Sequence, residues 1–522
     1  MDKKRSLLNI GISILFKIFL LICNLLVRRF LIQYIGNEIN GINSLYVSVL
    51  EFLSVAELGV GTAITYCMYK PIVDGDNDKV SALYGLFTKL YLIIGGIIFV
   101  AGCAIMPFLP VLAQGYETVD VNLYLTFGLM LVSVVLTYMF SSKTSLINAY
   151  KNNYITTIIT SGGQLVQLGL QIVVLILTQS FVWFLVCRIV AVILQWLVTE
   201  IVCRKKYGVI IRNKQRMDVD TRKGVVKNVK AMFMHRIGGV LVNTMDSIII
   251  SAFIGVVILG KYSNYTTIMV AMTTTISLFF TPLTSIIGHL YVEEDEAAVK
   301  KYYNFFYAFN FVIGCIFFLV YYGVIDNLVM ICFGGGLELI KPVSFVITLN
   351  YFIQFMRQAT SLFRDATGTF YYDRWKPLFE GLLNVGLSIA FVYLFEFLFG
   401  DDFAVVGVIV ATIITNIFIC HIVEPYVLYK HALHSSVKPY YIKNYICIAI
   451  FTGMLIALNY CMVSVDSEWL ELLINGSIAV GLALIPCTLI IIADKDFRHY
   501  LGVFLGKIKR KLSRKKSEPP SP

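Results

Sequence analysis

Long apolar segments separated by short polar connections fill almost the whole chain. They lie near 7–35, 42–69, 83–112, 122–142, 153–178, 181–202, 229–254, 262–290, 302–323, 342–365, 377–398, 403–429, 441–463 and 469–493. A helix needs about 20 apolar residues to cross the hydrocarbon core of a bilayer, and a barrel strand needs only about half as many. Runs of this length therefore predict helices, whose backbone polar groups are satisfied internally. The pattern is that of an all-α integral membrane protein with about fourteen transmembrane helices.

The charges between the segments support that count, because cytoplasmic loops collect Lys and Arg. With Lys3, Lys4 and Arg5 placed inside, the later inner connections carry Lys143 and Lys151, Arg374 and Lys376, then Lys430, Lys438 and Lys443. The outer connections carry Glu117 and Asp120, Asp401 and Asp402, then Asp466, Glu468 and Glu471. One inner stretch, Glu293 to Glu296, is acidic. Acids weigh little in the rule, and Lys300 and Lys301 follow. Both termini are expected on the cytoplasmic side, with the chain crossing the membrane many times.

Composition excludes a soluble globular protein: the 522 residues are 58% hydrophobic and 14% charged, with a mean hydropathy of +0.78. The net charge of +11 is concentrated in Arg204 to Lys230 and Lys507 to Lys516, so it points to topology or an anionic membrane surface and not to nucleic acid. Most of the eleven cysteines lie inside apolar runs and show no metal or redox spacing, which reads as packing. There is no GxxxxGK[ST] phosphate loop, and so no ATP site of that kind. Met1 to Arg5 is basic, but the apolar segment after it is as long as a full span and lacks a clear small-residue cleavage site. It is expected to stay as a helix.

A repeat organises these spans. The stretch YIGNEINGINSLY, Tyr34 to Tyr46, returns as FIGVVILGKYSNY, Phe253 to Tyr265. At an offset of 219 residues Gly36 pairs with Gly255, Gly41 with Gly260, Ser44 with Ser263 and Tyr46 with Tyr265, and further back Lys17 pairs with Arg236 and Asn24 with Asn243. Six spans separate the copies, so both copies face the same way. The chain is thus expected to hold an N-terminal lobe (1–202, helices 1–6), a basic cytoplasmic linker (203–228), a C-terminal lobe (229–432, helices 7–12), two further helices (433–494) and a basic cytoplasmic tail (495–522). Parallel repeats of this kind let two bundles rock about a central site. The glycines of the twin turn suit a tight reversal between helices.

Polar residues form stripes on this frame. At 100° per residue Ser13, Lys17, Asn24 and Arg28 fall within about 60° of one another, and Arg236, Asn243 and Ser247 repeat the stripe. A third stripe reads Asn350, Gln354, Arg357, Ser361 and Arg364. A charge in mid-bilayer costs roughly 2.5 to 3.5 kcal/mol even on the mild insertion scale, so such residues should face water or a partner. Lys17 is deep in its helix, about 15 Å from Leu7. Arg28 and Arg29 sit near the outer end, where snorkelling also accounts for them. Arg188 and the glutamines Gln164, Gln167 and Gln171 add to the polar set, although inter-helix hydrogen bonds explain the glutamines equally well. Glu57 and Asp246 are acids inside apolar runs. Each either takes a coupling cation or pairs with an arginine.

Together, VRRFLIQYIGNEINGINSLY, LSVAELGVGTAI and DSIIISAFIGVVILGKYSNY make the chain resemble the polysaccharide flippases of the multidrug/oligosaccharidyl-lipid/polysaccharide exporter superfamily, over nearly its whole length. The resemblance implies a transporter and not an enzyme, one that turns undecaprenyl-pyrophosphate-linked oligosaccharide repeat units to the outer leaflet for capsule, exopolysaccharide or O-antigen assembly. The polar stripes fit that reading as a cationic cavity of Lys17, Arg28, Arg188, Arg236, Arg357, Asn24 and Asn243; no cofactor is expected, and a coupling Na+ or H+ at Glu57 or Asp246 stays open beside their pairing with an arginine. Its partners would be the lipid-linked substrate, membrane lipids, and the glycosyltransferases and polymerase of the same route. A lipid II flippase has the same cationic character. A multidrug exporter would be expected to have acidic cavity residues and twelve spans. A glycan polymerase or ligase would need a sizeable outer loop with catalytic groups, whereas the stretch from Val324 to Lys341 offers only Asp326, Glu338 and Lys341.

Overall fold

The structure is a computed structural model that describes residues 3–57, 60–213, 240, 244–280 and 283–502. Every regular element among the described residues is helical. Among the described residues ten helices are long and apolar enough to cross a membrane, and Thr244–Phe253 is a shorter apolar helix. The protein is a multi-pass helical membrane protein.

Three of the other apolar segments, and one of those ten, are interrupted. Segment 42–69 consists of Asn37–Leu53, a 3-10 turn Ser54–Glu57, and Val60–Val73. Segment 262–290 divides into Val256–Phe280 and Leu283–Glu293, and the sequence places Pro282, which cannot donate a backbone hydrogen bond, between them. Segment 342–365 divides at Arg357 into Lys341–Met356 and Gln358–Thr367. Segment 403–429 runs as Ala404–Thr415, a π-helical stretch Asn416–Cys420, and His421–His431 with Pro425 inside. Helix starts are set locally: the Asp76 carboxylate accepts from the Lys79 amide at 2.9 Å, and the Asn122 side chain accepts from the Leu125 amide at 3.0 Å.

Two compact units are present. Unit 1 holds residues 1–267, 332–338 and 377–408, and unit 2 holds 268–331, 339–376 and 409–522. Within unit 1 the twin turns are built alike. Gly36 (φ 115°) joins Lys3–Ile35 to Asn37–Leu53, and Gly255 (φ 120°) joins Thr244–Phe253 to Val256–Phe280. A side chain would oppose that backbone conformation. Gly41 and Gly260 have a different purpose, since both lie where the two copies press together.

Unit 2 is organised on the long helix Glu296–Phe333, to which the last two helices are fastened by polar bonds. The Tyr307 hydroxyl donates to Asn444 Oδ1 at 2.9 Å, Tyr322 to Asn459 Oδ1 at 2.5 Å, and Asn327 Nδ2 to Glu468 at 3.1 Å. Phe352 stacks on Phe451 with ring centres 3.6 Å apart. Buried polar groups need such partners, and these pairs fix how Lys438–Cys461 and Glu468–Ala493 lie on the unit.

Candidate functional site

The two turn copies dock on each other through one arginine. Arg28 Nε donates to Asn40 Oδ1 at 2.9 Å, Nη2 to Ser44 Oγ at 3.2 Å and Ser263 Oγ at 3.0 Å, and Nη1 to the Ser263 carbonyl at 2.5 Å and to Thr267 Oγ1. A guanidinium has five N–H groups, and all five are used here. Every acceptor is neutral, so the bonds hold Arg28 without cancelling its charge. Asn40, fully buried, donates onward to the Gly260 carbonyl, Ser263 Oγ and Asn264 Oδ1 at 3.1–3.3 Å. Asn37 Nδ2 reaches the Val257 carbonyl at 3.0 Å. The second turn is also capped from the other side, where the Val256 amide donates to the Gln114 carbonyl at 2.9 Å.

Beside this clasp, still within unit 1, is a cavity of about 240 Å³. Its walls carry Arg28 and Arg188 together with Asn24, Asn43, Gln167 and Gln171, on an apolar background that includes Phe184 and Leu185. Gln171 is held by donating to the Phe184 carbonyl at 3.3 Å, and Gln167 donates to Gln171 Oε1 at 3.5 Å. Arg188 makes no hydrogen bond or ion pair among the described residues. No carboxylate among the described residues lines the cavity. Two guanidinium charges in a space walled by neutral groups create a field suited to an anion, and the surrounding low dielectric strengthens it.

Arg28, Arg188 and Asn24 are thus brought together. Lys17 is exposed on the same helix as Arg28 and is not among the lining residues. Arg236 and Asn243 lie outside the described residues. Asp246 is buried on Thr244–Phe253, and Glu57 faces the Tyr138 hydroxyl at the end of the 3-10 turn. Arg357 belongs to unit 2, where it meets a carboxylate that sequence reasoning missed. Its Nε and Nη2 bond the two oxygens of Glu424 at 3.1 and 2.6 Å, and its Nη1 bonds Asn416 Oδ1 at 2.6 Å. Lys376 Nζ lies 2.6 Å and Arg364 Nη1 3.4 Å from the same Glu424 Oε1, and Arg364 also pairs with Asp373 at 2.8 Å. The signal available in the sequence was an acid, Glu424, inside the apolar run 403–429. Asn40, Ser263 and Thr267 were hidden because ordinary polar residues at a turn do not announce a partner more than two hundred positions away.

No family model matches the chain, and no curated protein matches it in sequence. In three dimensions it has the fold of the transporters of the superfamily known as MOP. It is similar to a multidrug resistance MATE family transporter in an inward-facing conformation, with a TM-score of 0.59 and 12% identity over 83% of this chain and 95% of that one. It is similar to the lipid II flippase MurJ in an inward closed conformation, with a TM-score of 0.61 and 12% identity over 93% and 99%. A mutant of the MATE transporter VcmN of Vibrio cholerae gives a TM-score of 0.55 and 13% identity over 82% and 98%.

Proposed function

We propose that the protein is a flippase that carries undecaprenyl-pyrophosphate-linked oligosaccharide repeat units from the inner to the outer leaflet, by alternating access through a cationic cavity. The observation that carries this reading is the unit 1 cavity, with Arg28 and Arg188 in its wall and no acid among its described lining residues. A pyrophosphate head needs cations where it leaves water, and the polyprenyl tail needs only lipid. With the cell interior negative, an outward-moving anion gains about 2.3 kcal/mol per charge per 100 mV, so the membrane potential favours the proposed direction. Glu57 and Asp246 are the carboxylates that would take a coupling Na+ or H+. Lys17, Arg236 and Arg357 are the other cations proposed to meet the pyrophosphate. The substrate would come from glycosyltransferases of the inner face and pass to a polymerase outside, in the cytoplasmic membrane of a bacterium, with both termini inside.

A lipid II flippase is the second reading. It is favoured by the share of this chain that the MurJ fold covers, 93% against 83% for the inward-facing MATE transporter. Export of organic cations fits poorly with an all-basic cavity, and no enzymatic step is part of the proposal. The test is depletion in the native host followed by probing the lipid-linked glycan with a membrane-impermeant lectin or glycosidase. Accumulation of a glycan repeat on the inner leaflet supports the first reading, and accumulation of lipid II supports the second. An unchanged distribution of both overturns the flippase reading.

A further inference from the structure

We propose that Arg357 is a mobile phosphate ligand which Glu424 holds in reserve. During transport the pyrophosphate of the substrate takes Arg357 away from Glu424, while Lys376 and Arg364 keep Glu424 compensated. The proposal rests on the flippase reading and adds to it a second anion stop, located in unit 2, with Glu424 and Asn416 as positioning residues.

Three observations carry it. First, Glu424 has more cations than one carboxylate needs. Arg357 Nη2, Lys376 Nζ and Arg364 Nη1 all converge on its Oε1, at 2.6, 2.6 and 3.4 Å. Removing one partner from a buried ion pair normally strands a bare charge. Here Lys376 remains at 2.6 Å, and Arg364, which also serves Asp373 at 2.8 Å, stays within 3.4 Å.

Second, the cluster is graded in exposure. The side chains of Glu424 and Lys376 are 1% and 4% exposed and that of Arg364 is 12%, whereas Arg357 is 21% exposed. Arg357 is therefore the most exposed of the three cations and the one most open to an arriving ligand. Its grip on Glu424 is two-pronged, and a phosphate accepts the same fork.

Third, Arg357 and Asn416, the residue that accepts from its Nη1, both sit at irregular backbone. Arg357 itself stands between Lys341–Met356 and Gln358–Thr367, and Asn416 opens the π-helical stretch Asn416–Cys420. Interruptions of this kind recur at functional positions, where helices turn or shift. A structural ion pair alone would not require that its arginine and the neutral Asn416 that also binds it both lie at helix interruptions.

The test uses full-length protein in nanodiscs, with undecaprenyl pyrophosphate as the probe and its dissociation constant as the readout. Arg357→Gln is expected to raise the constant tenfold or more. Asn416→Ala and Glu424→Asp, which loosen the hold on Arg357 without removing it, are expected to lower the constant severalfold. A purely structural cluster would not give opposite signs. Weaker binding in all three variants, or no change in Arg357→Gln, overturns the proposal. Asn416→Ala changes no charge, so it keeps the test alive where Glu424→Asp folds poorly. If wild type binds the probe and Arg188→Gln weakens binding while Arg357→Gln does not, only this inference fails. If wild type does not bind the probe at all, the flippase reading fails with it.

Discussion

Gly41 and Val256 meet backbone to backbone. A Cβ built on Gly41 would overlap the Val256 carbonyl and stand 3.0 Å from the Gly260 amide nitrogen, and one on Gly260 would overlap the Asn37 carbonyl. The two copies of the turn are therefore in contact at the one place where neither has a side chain. Gly41→Ala is expected to push them apart and break the bonds from Asn37 to Val257 and from Asn40 to Gly260. Overpacking of this kind costs about 1–3 kcal/mol. With cysteines at 37 and 257, a short bifunctional thiol reagent should cross-link the turns in membranes, and Gly41→Ala should reduce the yield severalfold. Undiminished cross-linking would refute the contact.

Arg28 closes that contact with all five N–H groups, so its geometry counts as well as its charge. Lysine keeps the charge but has three donors on a single nitrogen, and it cannot reach Asn40, Ser44, Ser263 and Thr267 together. Arg28→Lys should lose at least two bonds, at about 0.5–1.5 kcal/mol net each. The thermal unfolding midpoint of the purified protein should fall by several degrees. A midpoint equal to wild type would mean that the clasp does not depend on the guanidinium fork.

How much of this was legible in the sequence can be judged residue by residue. The helical spans were legible because length and apolarity alone decide them, and the helices among the described residues follow the expected segments; most of 229–254 lies outside the described residues. The bends inside 42–69, 262–290 and 342–365 were not, because an apolar run reads the same whether straight or broken. The repeat exposed Gly36 with Gly255 and Gly41 with Gly260, the positions both copies share. It could not show that the copies touch, because the bonding across them is one-sided: at the same offset Arg28 corresponds to Ser247 and Asn40 to Leu259. Glu424 escaped notice for a related reason. An acid near the end of an apolar run looks like an interface residue until Arg357 is seen to grip it.

The joint between the last two helices offers a test of local stability. Asn475 donates to the Val463 carbonyl at 3.0 Å and accepts from the Val463 amide at 2.9 Å, so one buried side chain holds both polar groups of a connecting residue. Val463 itself is 47% exposed, and water can replace part of what is lost. Asn475→Ala is therefore expected to cost only about 1 kcal/mol globally. The local effect should be larger, with amide exchange at Val463 at least tenfold faster. Unchanged exchange there would show that the side chain does not hold the connection.

Arg188 separates function from stability more cleanly than any other residue in the cavity. It faces the same space as Arg28 but makes no hydrogen bond or ion pair among the described residues, so the fold gains little from its charge. A charged group within an apolar run costs free energy unless something answers it, and removing it should leave the unfolding midpoint unchanged or slightly raised. Transport should respond in the opposite direction. In vesicles loaded with a lipid-linked pyrophosphate substrate, Arg188→Gln is expected to slow flipping tenfold or more, while Arg188→Lys, which restores a cation without the fork, should keep most of the rate. Raising the salt concentration should slow wild type more than Arg188→Gln, because only wild type has the full pair of charges to screen. A wild-type rate in Arg188→Gln would remove the cationic cavity from the mechanism, whatever its effect on stability.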